Sequence, residues 1–98
     1  MSDVASTELD RRGRRVQLET LEAVQRAGAA TAAEVAAALG GDPESVARRL
    51  RRYRRRGWLA VEYGEDGPEY SVREAGATRM KWIRARCHRT PSETTVRA

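Results

Sequence analysis

Apolar residues recur along this chain with two different periods, and the change from one to the other organises it. From Val16 to Ala27, Leu18, Leu21 and Val24 return every third residue with Glu19, Glu22 and Arg26 between them, which predicts a helix closed by Gly28. The next stretch, TAAEVAAALGG, predicts a short second helix. Thr31 and Glu34 have the spacing of a capping box, Val35 and Leu39 lie one turn apart, and the alanines between them keep the helix thin. Gly40 and Gly41 turn the chain into DPESVARRLRRYRRRGW, residues Asp42 to Trp58. Asp42 suits an N-cap, Pro43 the first helical position and Gly57 the close, and Val46, Leu50 and Tyr53 form one narrow apolar stripe. After Gly57 the period falls to two. Leu59, Val61 and Tyr63 alternate with Ala60 and Glu62, Gly64 to Gly67 makes a turn, and Tyr70 and Val72 mark the inward side of a returning strand. Two strands alone are only marginally stable, so the hairpin must lean on the helices, with Trp58 as a wedge at the junction. A last helix is expected from Glu74 to about Arg86, with Gly76, Met80, Ile83 and Cys87 on one stripe and Trp82 beside it.

This pattern predicts a mainly α fold with a small β-hairpin. Residues 1–14 read as a flexible basic arm, 15–87 as one domain and 88–98 as a disordered tail.

Charge changes the picture most at the third helix. The 98 residues carry 19 Lys and Arg against 14 Asp and Glu, a net charge of +5, and the sequence pI is about 10.3. The positions from Arg48 to Arg56 hold seven arginines in nine residues. A turn of about 100° per residue puts Arg48, Arg51, Arg52 and Arg55 opposite the apolar stripe, with Arg49 and Arg56 flanking on one side and Arg54 on the other. Like charges at i, i+3 and i, i+4 repel, so this density opposes helix stability and fits a polyanion, of which DNA is the obvious one.

Other chemistry is thinly represented. One cysteine, Cys87, beside the single His88, gives neither a disulfide framework nor a zinc-ligand cluster, so no metal and no cofactor is expected. No nucleophile–base pair and no glycine-rich phosphate loop points to an enzyme. No long apolar run and no leader pattern is present, so a cytoplasmic, nucleoid-associated protein is expected.

The order helix, helix, helix, hairpin, helix resembles the winged helix-turn-helix of MarR-like and ArsR-like transcription regulators. The likeness runs from about Leu18 to Ile83. It is carried by TAAEVAAALGGDPESV, by SVARRLRRYRRRGWLAVEY and, more loosely, by EYSVREAGATRM, where Arg73 stands in place of the usual threonine. The resemblance implies binding of double-stranded DNA with the third helix in the major groove. Glu44, Ser45, Arg48 and Arg49 would meet base edges, where arginine can pair bidentately with guanine. Thr31, Arg51, Arg52, Arg55 and Arg56 would hold phosphates. Trp82 adds apolar area beside the last helix's stripe, so a homodimer through the first and last helices is expected, with Met80, Trp82 and Ile83 at the interface; the alternative is that Trp82 closes the core of the monomer. The wing departs from the pattern, because Glu65 and Asp66 at its tip would be repelled by phosphate. The alternatives are a protein-docking winged helix within a larger assembly, or a non-specific, architectural DNA or RNA binder.

Overall fold

The computed structural model describes the backbone of residues 2–97 and the side chains of residues 11–86. Four helices and one hairpin follow in the order α1 (Ser2–Ala27), α2 (Ala32–Leu39), α3 (Pro43–Arg55), β1 (Leu59–Gly64), β2 (Gly67–Val72) and α4 (Glu74–Arg97). The backbone continues α1 through the stretch expected as an arm and α4 through the stretch expected as a tail. Most of both stretches, and Cys87 and His88 with them, lies outside the described side chains.

The helices form where local chemistry supports them. Thr31 caps α2 with the reciprocal bonds of a capping box: Glu34 N–H donates to Thr31 Oγ1 over 3.2 Å, and Thr31 N–H to Glu34 Oε1 over 2.9 Å. At the head of α3, Asp42 Oδ2 accepts from Ser45 N–H at 2.9 Å. That bond, above all, holds the Asp42 carboxyl below its ordinary value. At the far end Gly57 takes φ 84°, the left-handed conformation that costs a glycine little. Gly57 N–H then donates to Arg54 O at 2.9 Å and Trp58 N–H to Tyr53 O at 3.1 Å, a Schellman closure that turns the chain straight into the hairpin.

One core serves all elements. Leu18, Leu21 and Val24 of α1, Val35 and Ala36 of α2, and Val46, Leu50 and Tyr53 of α3 meet Leu59, Tyr70, Met80 and Ile83 there. The stripes expected on the first three helices are therefore the buried ones, with Leu39 only partly covered.

The hairpin is antiparallel and in register from Leu59 opposite Val72 to Gly64 opposite Gly67, which leaves Glu65 and Asp66 as a two-residue turn. Ala30, between α1 and α2, pairs with Tyr70 through two backbone bonds of 2.9 and 2.8 Å, so the hairpin is bolted to the helical layer by a third short segment. The expected inward face of the hairpin holds only near its root. Leu59 is buried and Val61 half-buried, but Tyr63 is 79% exposed, because the tip projects beyond the helices and has no core to face.

At the root, the backbone of Gly76 in α4 lies against the carbonyl of Trp58, where a Cβ would overlap the Trp58 oxygen. The same carbonyl accepts from Arg73 N–H at 2.9 Å. Glycine at this position sets how closely α4 approaches the wing.

Candidate nucleic-acid interface

The α3 helix is anchored on one side and bare on the other. Val46, Leu50 and Tyr53 are 1%, 0% and 3% exposed. Each fully buried side chain of this size contributes about 1.5–3 kcal/mol relative to exposure. On the outer side Glu44, Arg48, Arg51, Arg52, Arg54, Arg55 and Arg56 are all exposed. The single salt bridge among the described residues joins Arg84 to Glu22 at 3.0 Å, away from this face. The guanidiniums of the outer face are therefore free of carboxylate partners within the described chain.

The residues marked in the sequence for contact with bases do not all behave alike. Arg48 stands out from the second turn and Glu44 from the first, both exposed, while Ser45 is half-covered and its N–H is held by the Asp42 cap. Arg49 turns back towards α1. Its Nη1 donates to Thr20 Oγ1 at 3.1 Å, and the fully buried Thr20 hydroxyl in turn donates to Val16 O at 2.7 Å. Arg49 thus ties α3 to α1 through a neutral hydroxyl and not through a carboxylate. Of the residues marked for phosphate, Arg51, Arg52, Arg55 and Arg56 lie along the exposed face, and Thr31 is engaged as the α2 cap, with its N-terminal amides beside it.

Two of the three residues expected at a subunit interface are corrected by the structure. Met80 and Ile83 are 1% and 0% exposed and belong to the domain's own core. The apolar stripe of α4 is consumed in packing onto α1 and the hairpin, and Trp82, about 100–160° round the helix from the stripe residues, remains 39% exposed.

Trp82 takes part in an arrangement that sequence spacing does not show. Arg56 lies over the Trp58 ring at 5.2 Å. Arg79 lies between both rings, 5.2 Å from Trp58 and 4.5 Å from Trp82, and Arg86 covers Trp82 at 4.1 Å. Trp58 also leans on Tyr53, with ring centroids 5.3 Å apart. The result is an alternating guanidinium–indole ladder from the end of α3 across the wing root to α4. Arg79 Nε donates to Gln17 Oε1 at 3.0 Å, which brings α1 into the same junction. Burial, reinforced by Arg56 and Arg14 nearby, pushes the Arg79 guanidinium below its ordinary value.

No family model matches the chain, and no curated protein matches it in sequence. Solved structures do match in fold. A mutant MarR from E. coli complexed with operator DNA is 21% identical with a TM-score of 0.64, covering 70% of this chain and 51% of its own. BpsR from Bordetella bronchiseptica is 20% identical with a TM-score of 0.68, covering 80% and 58%. A MarR family protein from Bacillus stearothermophilus is 17% identical with a TM-score of 0.69, covering 94% and 72%. The chain spans between 51% and 62% of the length of three other MarR structures it matches. Four helices, a two-stranded wing and these likenesses together give the chain the winged helix-turn-helix fold of the MarR structures.

Proposed function

We propose that the chain is a DNA-binding transcription regulator that places α3 in the major groove of duplex DNA. The observation that carries this reading is the outer face of α3, where exposed arginines with no carboxylate partner among the described residues stand on a helix whose opposite face is locked into the core. In the reading, Arg48 meets base edges and Arg51, Arg52 and Arg55 hold phosphates. Glu44 and Ser45 stand at the same end of the helix as Arg48. Arg49 joins the base contacts only by giving up Thr20. A homodimer acting in the cytoplasm completes the proposal. It would present two copies of α3 to successive major grooves, with Trp82 the one described α4 residue of the expected interface left at the surface. The test is the salt dependence of duplex binding. Log affinity should fall linearly with log salt at about −0.9 per phosphate neutralised, and a flat response would sink the proposal.

A second reading is favoured by one observation. The wing exposes Tyr63 among Glu62, Glu65, Asp66 and Glu69, an aromatic in an acidic setting. This tip suits a protein surface better than phosphate, so the wing would dock a protein partner while α3 holds DNA.

A further inference from the structure

Between α1 and α3 runs a groove of about 310 Å³ lined by Arg12, Gly13, Val16, Gln17, Arg49, Arg52 and Tyr53. Among the described residues its polar lining is cationic and neutral, with three guanidiniums, one amide, the Tyr53 hydroxyl and no carboxylate. Arg49 is positioned by the Thr20 hydroxyl and not neutralised by it. Outside the lining, Arg14 on the same helix lies near Arg79, and its Nε is buried without a hydrogen-bond partner among the described residues. Among the described residues, the groove gathers like charges without a counter-charge that would offset their repulsion.

The shape suits one kind of guest. Guanidinium forks match the paired oxygens of a phosphate group, and the apolar flank of Val16 and Tyr53 strengthens such contacts by lowering the local polarity. With about 30 Å³ per water in the liquid, the groove has room for a tetrahedral oxyanion and several waters. Gly13 sits at its wall inside a helix, where glycine is unfavourable relative to alanine. Nothing lies within 4 Å of where its Cβ would stand, so packing does not demand the glycine. Its bare backbone leaves the groove open.

We infer that this groove is a phosphate-oxyanion site closed by Arg12 and Arg52 from two different helices. Because Arg52 also lies on the outer face of α3, the favoured source is a backbone phosphate of bound duplex lying beside the recognition helix. That choice of source rests on the DNA reading above; the site itself does not.

The experiment compares the full chain with Arg12→Gln, with Gly13→Leu and with Arg55→Gln, each checked for fold by circular dichroism. Duplex binding is measured against salt, and inorganic pyrophosphate is titrated while the amide signals of Gly13 (or its replacement) and Gln17 are followed by NMR. Arg12→Gln should make the salt slope shallower by about 0.9. Gly13→Leu, which removes no charge, should do the same by narrowing the groove. Both should abolish the pyrophosphate shifts, and Arg55→Gln should lower duplex affinity while leaving those shifts intact. If duplex binding survives with unchanged slope in both groove variants and pyrophosphate moves neither signal, the site is overturned and the α3 reading stands. If the wild type ignores duplex but pyrophosphate still shifts Gly13 and Gln17 through Arg12, the site stands with a free anion as its source and the DNA reading falls.

Discussion

Along the exposed side of α3, from Arg48 to Arg56, every charged side chain is cationic; along the wing, from Glu62 to Glu69, every one is anionic. Both surfaces project from the same core and meet at Trp58, so the contrast is not one of burial or stability. It is one of what each surface can approach. A duplex offers the same negative backbone in every direction, and a rigid domain that welcomes it at α3 must tilt or hold the wing away from it. The comparison therefore turns the acidic wing into a statement about orientation, and leaves the junction between the two surfaces as the place where that orientation is set.

The largest expected effect tests whether α3 is anchored as described. Leu50→Ala removes a fully buried side chain from beneath the arginine face and should cost about 2–5 kcal/mol in urea denaturation. Tyr63→Ala in the wing, on an exposed side chain, should stay within about 0.5 kcal/mol. Similar losses at the two positions would break the contrast between an embedded helix and a projecting tip.

Next comes the division of labour within α3. Arg48→Ala should cost about 1–3 kcal/mol on the preferred duplex and relax its choice at one base pair. Arg55→Ala should weaken preferred and random duplexes alike and make the salt slope shallower by about one unit. Equal, sequence-blind losses would make the whole face an electrostatic grip, and the protein a coating DNA binder.

A smaller effect lies in the cap that starts the helix. The folded-state pKa of Asp42 is lowered from 3.8, chiefly by the Ser45 N–H. A depressed acid stabilises the fold above its unfolded value and loses that contribution as pH falls through the folded value. Asp42→Asn keeps a capping side chain but cannot titrate. Its stability relative to wild type should therefore improve below about pH 4, read by chemical denaturation across pH.

The smallest change should come from reversing the wing. Glu65→Lys with Asp66→Lys should alter duplex affinity less than Arg55→Ala does, if the acidic tip is held off the backbone as proposed. A steeper salt slope in that double variant would bring the wing into contact with DNA and dissolve the contrast.

Much of the fold was legible in the sequence because it rests on repeated spacing. Val46, Leu50 and Tyr53 announce the buried side of α3, and Thr31 with Glu34 announces the start of α2. What escaped has no period. Ala30 and Tyr70 pair at one rung only, and no stretch of alternating residues marks it. Thr20 looks like a surface threonine on α1 until Arg49 reaches it from α3. Tyr63 continues a correct alternation past the end of the core, where alternation no longer predicts burial. Met80 and Ile83 share a stripe that served equally well for a core or a partner, and α1 and the hairpin claim it first. The arginine face was legible as a candidate site because its charge density argues against local stability; the groove beside it was not, since it needs two helices at once.

The guanidinium–indole ladder also gives the molecule a built-in optical probe. Trp58 and Trp82 are the only tryptophans of the chain, and both lie in the same stack. Intrinsic fluorescence therefore reports the meeting point of α3, wing and α4, while the packing of α2 on α1 stays dark to it. Thermal melts followed by emission and by far-ultraviolet dichroism should coincide if that joint opens only with the whole domain. A DNA that draws Arg56 off the Trp58 ring would change the emission without any dye attached.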